Sequence, residues 1–145
     1  MAKEGLSSAH QELLRRRLAR LRKAESSLSF AQERFWFLAQ LDADSSEYHI
    51  TVLLEVEGTL DAVALAAALS KLAQRHAALR TSFPSRGGAP EAVIAEAPPE
   101  VGQIFAGTQT LDPSEDLQGF CRVFHRQPFD LAQGPLWRVA HVALG

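Results

Sequence analysis

At 145 residues, 46% hydrophobic and 22% charged, the chain has the size and composition of one globular domain and not of a disordered one. Its formal net charge of −2 is unevenly spread: residues 1–25 carry seven Lys/Arg against three Glu, the remainder eight against fourteen acidic residues. The acidic body offers no basic stripe for nucleic acid, and the single cysteine, Cys121, excludes an internal disulfide and a Cys-based zinc site.

Ser8-Ala9-His10-Gln11 has the form of a capping box. Leu14, Leu18 and Leu21 follow as a narrow apolar stripe among Arg15, Arg16, Arg17, Arg20, Arg22 and Lys23, so residues 8–25 are expected to form a basic amphipathic helix. Such a helix either lies solvated on its own domain or docks on an acidic partner. Residues 1–27 are therefore read as basic helix plus hinge, and the domain proper as 28–145.

Ser29-Phe30-Ala31-Gln32 repeats the capping pattern and opens a second helix to about Leu41. Phe30, Ala31, Phe35, Trp36, Phe37, Leu38 and Leu41 surround its axis, which predicts a buried helix in which Arg34 needs a partner or a way out to water. Tyr48 to Glu57 alternates, with Ile50, Val52, Leu54 and Val56 on one face, as a strand does. Asp61 is a good N-cap for a helix to about His76, with Leu65, Ala68, Leu69 and Leu72 as its buried stripe. Leu79 to Phe83 is then a short strand stopped by Pro84. Ser85-Arg86-Gly87-Gly88 is a turn, and Ala92 to Ala95 a hairpin return.

Val101 to Phe105 is a candidate strand. Asp112-Pro113-Ser114-Glu115 is a helix start, and Leu117, Phe120, Cys121 and Phe124 give that helix its apolar face, with Cys121 as core. Gln127 to Leu131 is a constrained loop, Gly134-Pro135 a turn, and Leu136 to Leu144 a final strand. This order of helices and strands predicts an α/β sandwich with a mixed sheet, without the regular βαβ alternation of a nucleotide-binding fold. No apolar run approaches the roughly 18–20 residues of a membrane span. The first residues lack a secretory core. The expected setting is the cytoplasm, away from membranes.

The chain has no phosphate loop, dinucleotide fingerprint, HExxH or nucleophile elbow. His10, His49, His76, His125 and His141 show no metal-ligand spacing. His76, at a helix end, reads as a capping or partly buried imidazole, and a His125–Asp130 acid–base pair is disfavoured by the intervening Pro128. One stretch stands out: Arg75-His76-Ala77-Ala78-Leu79-Arg80-Thr81-Ser82-Phe83 sets two arginines among apolar residues. A buried guanidinium requires a carboxylate or several carbonyls.

Three stretches together resemble the condensation domains of nonribosomal peptide synthetases. Ser29 to Leu38 is similar to the family motif SxAQxRLWxL, with Phe35 in place of Leu; the matching positions are Ser29, Ala31, Gln32, Arg34, Trp36 and Leu38. Arg75 to Phe83 is similar to RHExLRTxF through Arg75, His76, Leu79, Arg80, Thr81 and Phe83, with Ala77 where the family has Glu. Phe129-Asp130-Leu131 and Gly134-Pro135-Leu136-Trp137-Arg138 are similar to FDL…GPLxR. The first motif is nearer to the subtype joining two L-configured units.

The resemblance implies a chloramphenicol-acetyltransferase-like α/β fold of two lobes around a tunnel. In it, phosphopantetheine-borne thioesters on partner carrier (thiolation) domains meet and form an amide bond. No cofactor or metal bound directly to the chain is implied, and the partners are carrier domains and other synthetase modules. The implied catalytic signature is HHxxxDG, whose Asp is held by an arginine of the Arg75–Phe83 type. No His-His dipeptide occurs in residues 1–145. The chain is thus expected to be the N-terminal part of one lobe, ending before that motif, with no catalytic residue of its own and inactive alone. A non-catalytic docking module acting through residues 8–25 is the alternative.

Overall fold

The computed structural model describes residues 28–111 and 116–144, with Glu12 alone before them. The expected basic helix of residues 8–25 and the helix start at Asp112–Glu115 lie outside the described residues. Within them the chain is α/β, with helices α1 (Phe30–Leu41), α2 (Ala62–Arg75), the short α3 (Val101–Ile104) and α4 (Leu117–Arg126). The strands are β1 (Thr81–Ser82), β2 (Ser85–Arg86), β3 (Ala89–Pro90), β4 (Val93–Ile94), β5 (Phe105–Thr110) and β6 (Val139–Ala143). None of the described helices is long and apolar enough to cross a membrane.

α1 starts where its sequence says. The Ser29 hydroxyl accepts from Gln32 N–H, and the Gln32 side chain accepts from Ser29 N–H at 2.8 Å. Two of the helix's orphan donors are thus satisfied. Its burial is not as expected: no residue of α1 is fully buried, and Phe30, Phe37 and Leu41 are exposed. The apolar girdle has nothing described to pack against on most sides. Arg34 is correspondingly exposed, and its expected need for a buried partner falls away.

α2 is capped by Asp61, whose carboxylate accepts from Val63 N–H at 2.8 Å and Ala64 N–H at 3.1 Å. Asp61→Ala should cost about 1 kcal/mol, read as a shift in the urea midpoint, since removing a carboxylate cap leaves two donors unpaired. The buried face of α2 is Leu69 and Ala73, flanked by half-buried Ala62, Leu65 and Ala66. Ala68 and Leu72, expected on that face, are exposed. The face is rotated because α2 packs on α3 and β5, where Leu69, Ile104 and Phe105 form the core and Val101, Trp137 and Val139 close round it.

The expected strand Leu79–Phe83 is instead a 3₁₀ turn, Ala77–Arg80, followed by β1. From there one hairpin runs through β1, β2, β3 and β4 in a single register: Thr81 pairs Ile94, Ser82 pairs Val93, Ser85 pairs Pro90 and Arg86 pairs Ala89. Pro84, which has no N–H, interrupts the ladder but still accepts from Glu91 N–H at 3.0 Å. Gly87 and Gly88 make the two-residue turn with φ of 61° and 84°. Both angles are left-handed, so the turn favours glycine at both places.

Val101 to Phe105, a candidate strand in the sequence, divides into the α3 turn and the first residue of β5. β5 pairs with β6 in parallel, and the register shifts between Phe105 and Thr108, where Gly107 has φ 93°. The final strand is shorter than expected, Val139–Ala143. The largest departure is at 48–57. That segment alternates as a strand should, yet it carries no ladder: Ile50, Val52, Leu54 and Val56 are 94, 72, 77 and 62% exposed. A strand exists by virtue of a hydrogen-bonded neighbour, and the described residues supply none.

Candidate functional site

The stretch from Leu79 to Phe83 takes part in three hydrogen bonds that tie the molecule together. Trp36, from α1, donates its indole N–H to Phe83 O at 3.1 Å. Trp137, just before β6, donates its indole N–H to Leu79 O at 3.0 Å. Phe83 N–H in turn donates to Leu131 O at 2.6 Å. Two large aromatic side chains and one backbone bond thus bring segments 47–58 residues away in sequence onto one short stretch. Each indole is a donor in half-buried surroundings, where an unpaired N–H would be costly.

Arg80 is half-buried and finds its partners inside the chain. Its guanidinium donates to Ala73 O at 3.0 Å, Ala95 O and Glu96 O at 3.4 Å, joining the end of α2 to the base of the hairpin. Several carbonyls, not a carboxylate, satisfy it. Arg75 is exposed in the last turn of α2, so the expectation of two buried arginines is corrected for that residue. His76 is the exposed C-cap, its backbone N–H bonded to Leu72 O. Thr81 donates its hydroxyl to Ala77 O at 2.9 Å and closes the 3₁₀ turn.

Around the third stretch, the Asp130 carboxylate accepts from Ala132 N–H at 2.8 Å and Gln133 N–H at 3.3 Å, and Asp130 O accepts from Gly134 N–H at 2.9 Å. Asp130 is thus a turn former, with the cis Gly134–Pro135 peptide following it. The His125–Asp130 pair that the sequence disfavours does not form. His125 Nδ1 shares a 2.9 Å hydrogen bond with Thr51 Oγ1, and His125 O accepts from His49 Nδ1 at 2.8 Å. A carbonyl only accepts, so His49 carries a proton on Nδ1, and in the neutral ring Nε2 is left as an acceptor.

Arg138 completes the arrangement. Its guanidinium sits 4.1 Å from the centre of the Phe129 ring and 5.2 Å from that of Phe124. It donates to Phe124 O at 3.0 Å, Pro128 O at 3.4 Å and Gln127 O. It therefore collects the carbonyls at the end of α4, where a cation also complements the helix dipole. Burial pushes its pKa down from the usual arginine range, but a guanidinium remains charged. Arg138→Lys should cost about 1–2 kcal/mol in a urea titration, because a point ammonium cannot span the carbonyls and stack between two rings.

These elements border a groove of about 540 Å³ between α1, residues 42–51, α4 and the 129–138 stretch. Its walls include Phe35, Leu38, Tyr48, His49, Phe129 and Trp137. Ser29, Ala31, Gln32 and Arg34 lie away from it on the exposed start of α1. Gly134 and Pro135 are half-buried at the turn leading to its far wall. The described residues hold no cluster of three or more His, Cys, Asp or Glu that could bind a metal. Cys121 is half-buried on α4, a helix with no fully buried residue, and not in the core where the sequence expects it. His49, Thr51 and His125 give no sequence signal as a group, since 74–76 residues separate the partners. Arg138, in contrast, stands within the Gly-Pro-Leu-Trp-Arg run.

Trp36 of the first motif stretch and Leu131 and Trp137 of the third thus meet the second at Leu79–Phe83, and residues of the first and third line the groove. Residues 22–145 match the family model of the condensation domain, and the chain belongs to that family. It is 39% identical over 117 residues to tyrocidine synthase 2 of Brevibacillus parabrevis, covering 81% of this chain and 3% of that protein. It is 38% identical over 119 residues to the isonitrile lipopeptide synthase of Mycobacterium tuberculosis, covering 79% of this chain and 5% of that one. The first condensation domain of the CDA synthetase superposes with a TM-score of 0.65 at 23% identity, covering 83% of this chain and 32% of that one. The starter condensation domain of rhizomide synthetase RzmA gives 0.63 at 24%, covering 83% and 29%. The fold is therefore that of the chloramphenicol-acetyltransferase-like condensation domains, and the chain spans about a third or less of their length.

Proposed function

We propose that residues 28–145 are the N-terminal part of one lobe of a nonribosomal peptide synthetase condensation domain, acting in the cytoplasm on thioesters carried by partner domains. The convergence of the three motif stretches on Leu79–Phe83 supports this reading more than any other observation. In the reaction of that family, the amine of an aminoacyl thioester attacks the carbonyl carbon of an upstream acyl or peptidyl thioester. The C–N bond forms, the C–S bond breaks, the thiol leaves on the upstream phosphopantetheine arm, and the amine gives up a proton. Proximity supplies much of the rate of such a step, and the proton requires a placed base.

The chain's part in this is scaffolding. Ser29, Ala31, Gln32, Arg34, Trp36 and Leu38 build α1. Arg75, His76, Leu79, Arg80, Thr81 and Phe83 form the junction. Phe129, Asp130, Gly134 and Pro135 shape the loop that meets it. No His-His dipeptide is present, and His49, His125 and His141 each hold a ring nitrogen against a threonine or a carbonyl. Incubated with two loaded carrier proteins, the chain alone should form no dipeptide. A chimera with residues 28–144 in place of the matching stretch of the CDA-synthetase condensation domain should form its peptide bond. Dipeptide from the isolated chain at the rate of a complete domain would overturn the proposal, as would an inactive chimera.

The basic stretch at 8–25 is proposed to dock on an acidic segment of another synthetase protein, on the strength of its excess of cations. Exposed charge pairs are screened by salt. Capture of such a segment should therefore weaken from low to high salt, and deletion of residues 1–25 should abolish it; salt-independent capture would contradict it.

A further inference from the structure

α4 ends without a glycine: its C-cap is Gln127, and Pro128 follows. The last carbonyls of a helix have no partner within it, and here side chains from distant segments take two of them. His49 donates from Nδ1 to His125 O at 2.8 Å, and Arg138 donates to Phe124 O at 3.0 Å. Phe129 lies against both, with the Arg138 guanidinium 4.1 Å and the His49 ring centre 4.9 Å from the centre of its ring. Thr51, two residues after His49, returns to the same helix residue: its Oγ1 is 2.9 Å from His125 Nδ1. From there to Thr59 every residue is exposed, and no described strand includes residues 49–57. Among the described residues, both side-chain hydrogen bonds of this segment go to His125.

We propose that His125 and Thr51 are positioning residues for His49. One helix residue, gripped at its carbonyl and at its ring, holds His49 in the Nδ1–H form and sets which side of residues 49–57 faces α4. In an extended chain alternate side chains share a side, so His49 and Thr51 can reach one residue together. A shift by one residue would bring Ile50 and Val52 there instead. Their side chains neither donate nor accept, and His125 O would be left unpaired. The alternation that finds no ladder thus takes its register from side chains. The Thr51 hydroxyl donates or accepts as the ring requires, so the second bond forms with either neutral tautomer of His125. The first bond admits only Nδ1–H at His49. Nε2 of the neutral ring is then an acceptor on a residue that lines the groove. The scaffolding role proposed above assigns nothing to His49, Thr51 or His125, and the clasp stands without the family reading.

The test is the tautomer of His49 in the full 145-residue chain, labelled with ¹⁵N in its histidine rings. Long-range ¹H–¹⁵N correlation at about pH 8.5, roughly two units above the ordinary imidazole range, reads each neutral ring, and His49→Gln and His125→Leu assign the signals. Free neutral histidine favours Nε2–H; His49 should be mainly Nδ1–H. Thr51→Val keeps the shape and removes the hydroxyl, and should lower the ratio of Nδ1–H to Nε2–H at His49 about fivefold, the weight of one hydrogen bond. Thr51→Ser keeps the hydroxyl and should stay within about twofold of the parent. His125→Leu keeps the carbonyl, loses the ring, and should match the valine variant. Thr51 is exposed, so its substitution leaves the core intact, and the Trp137 indole resonance, bonded to Leu79 O, reports that each variant is folded. Nε2–H as the main form at His49 in the parent would overturn the proposal. So would a ratio unmoved by Thr51→Val, or an equal fall in the valine and serine variants.

Discussion

Truncating Ile104 to alanine is expected to destabilise the chain by about 3–4 kcal/mol, within the range for a fully buried aliphatic side chain. Ile104 is 1% exposed and is the one large side chain below 2% exposure among the described residues. It is held where α2 meets the α3–β5 junction, against Leu69 and Phe105. Few described side chains are fully buried, so the neighbours have little other packing with which to collapse on the cavity. Whole domains are stable by about 5–15 kcal/mol, and the buried core among the described residues is Leu28, Leu69, Ala73, Ile104 and Phe105. The variant should lose most of its cooperative urea transition, followed by circular dichroism at low micromolar concentration. Ile104→Val, which removes one methylene, should cost about 1 kcal/mol. A midpoint for the alanine variant within error of the parent would show that the core lies elsewhere.

The second large effect is at Trp137, where Trp137→Ala should cost about 3 kcal/mol. The indole packs on the Leu69–Ile104–Phe105 core with one part and donates to Leu79 O with another. Removing it deletes apolar contact and strands a half-buried carbonyl. Trp137→Phe separates the two contributions: the packing is mostly kept, the bond is lost, and about 1 kcal/mol should go with it. If the phenylalanine variant proves as damaging as the alanine one, the hydrogen bond carries more than such bonds ordinarily do. If neither has an effect, the third motif stretch is not anchored at Leu79.

What the sequence made legible was local. The Ser29–Gln32 box and the Asp61 cap are written in adjacent residues, and the structure has both. The Gly87-Gly88 turn likewise follows from the backbone angles that only glycine adopts freely. The helical period of α2 was also legible, but not which side of it would be covered. Ala66 and Ala73 lie on the covered side together with Leu65 and Leu69, while Leu72 is left outside. Burial was least legible where it depends on partners. The apolar girdle of α1 and the alternation of residues 49–57 state that something covers them; no residue pattern inside the chain states what does. The arginines teach the same lesson in reverse. Two cations in an apolar stretch imply acceptors, but Arg80 found them in backbone carbonyls, which leave no mark on a sequence. The role of Arg138 at the end of α4 is hidden for the same reason.

The convergence of the motif stretches can be observed directly, because the chain has only two tryptophans. A ¹⁵N-labelled sample should give two indole N–H resonances, assigned by Trp36→Phe and Trp137→Phe. Both protons are bonded to backbone carbonyls, Phe83 O and Leu79 O, in half-buried positions. Both should therefore exchange with solvent about tenfold or more slowly than free tryptophan. Exchange of both at the free rate, in a chain whose backbone amides in α2 are protected, would mean that the three stretches do not meet at Leu79–Phe83.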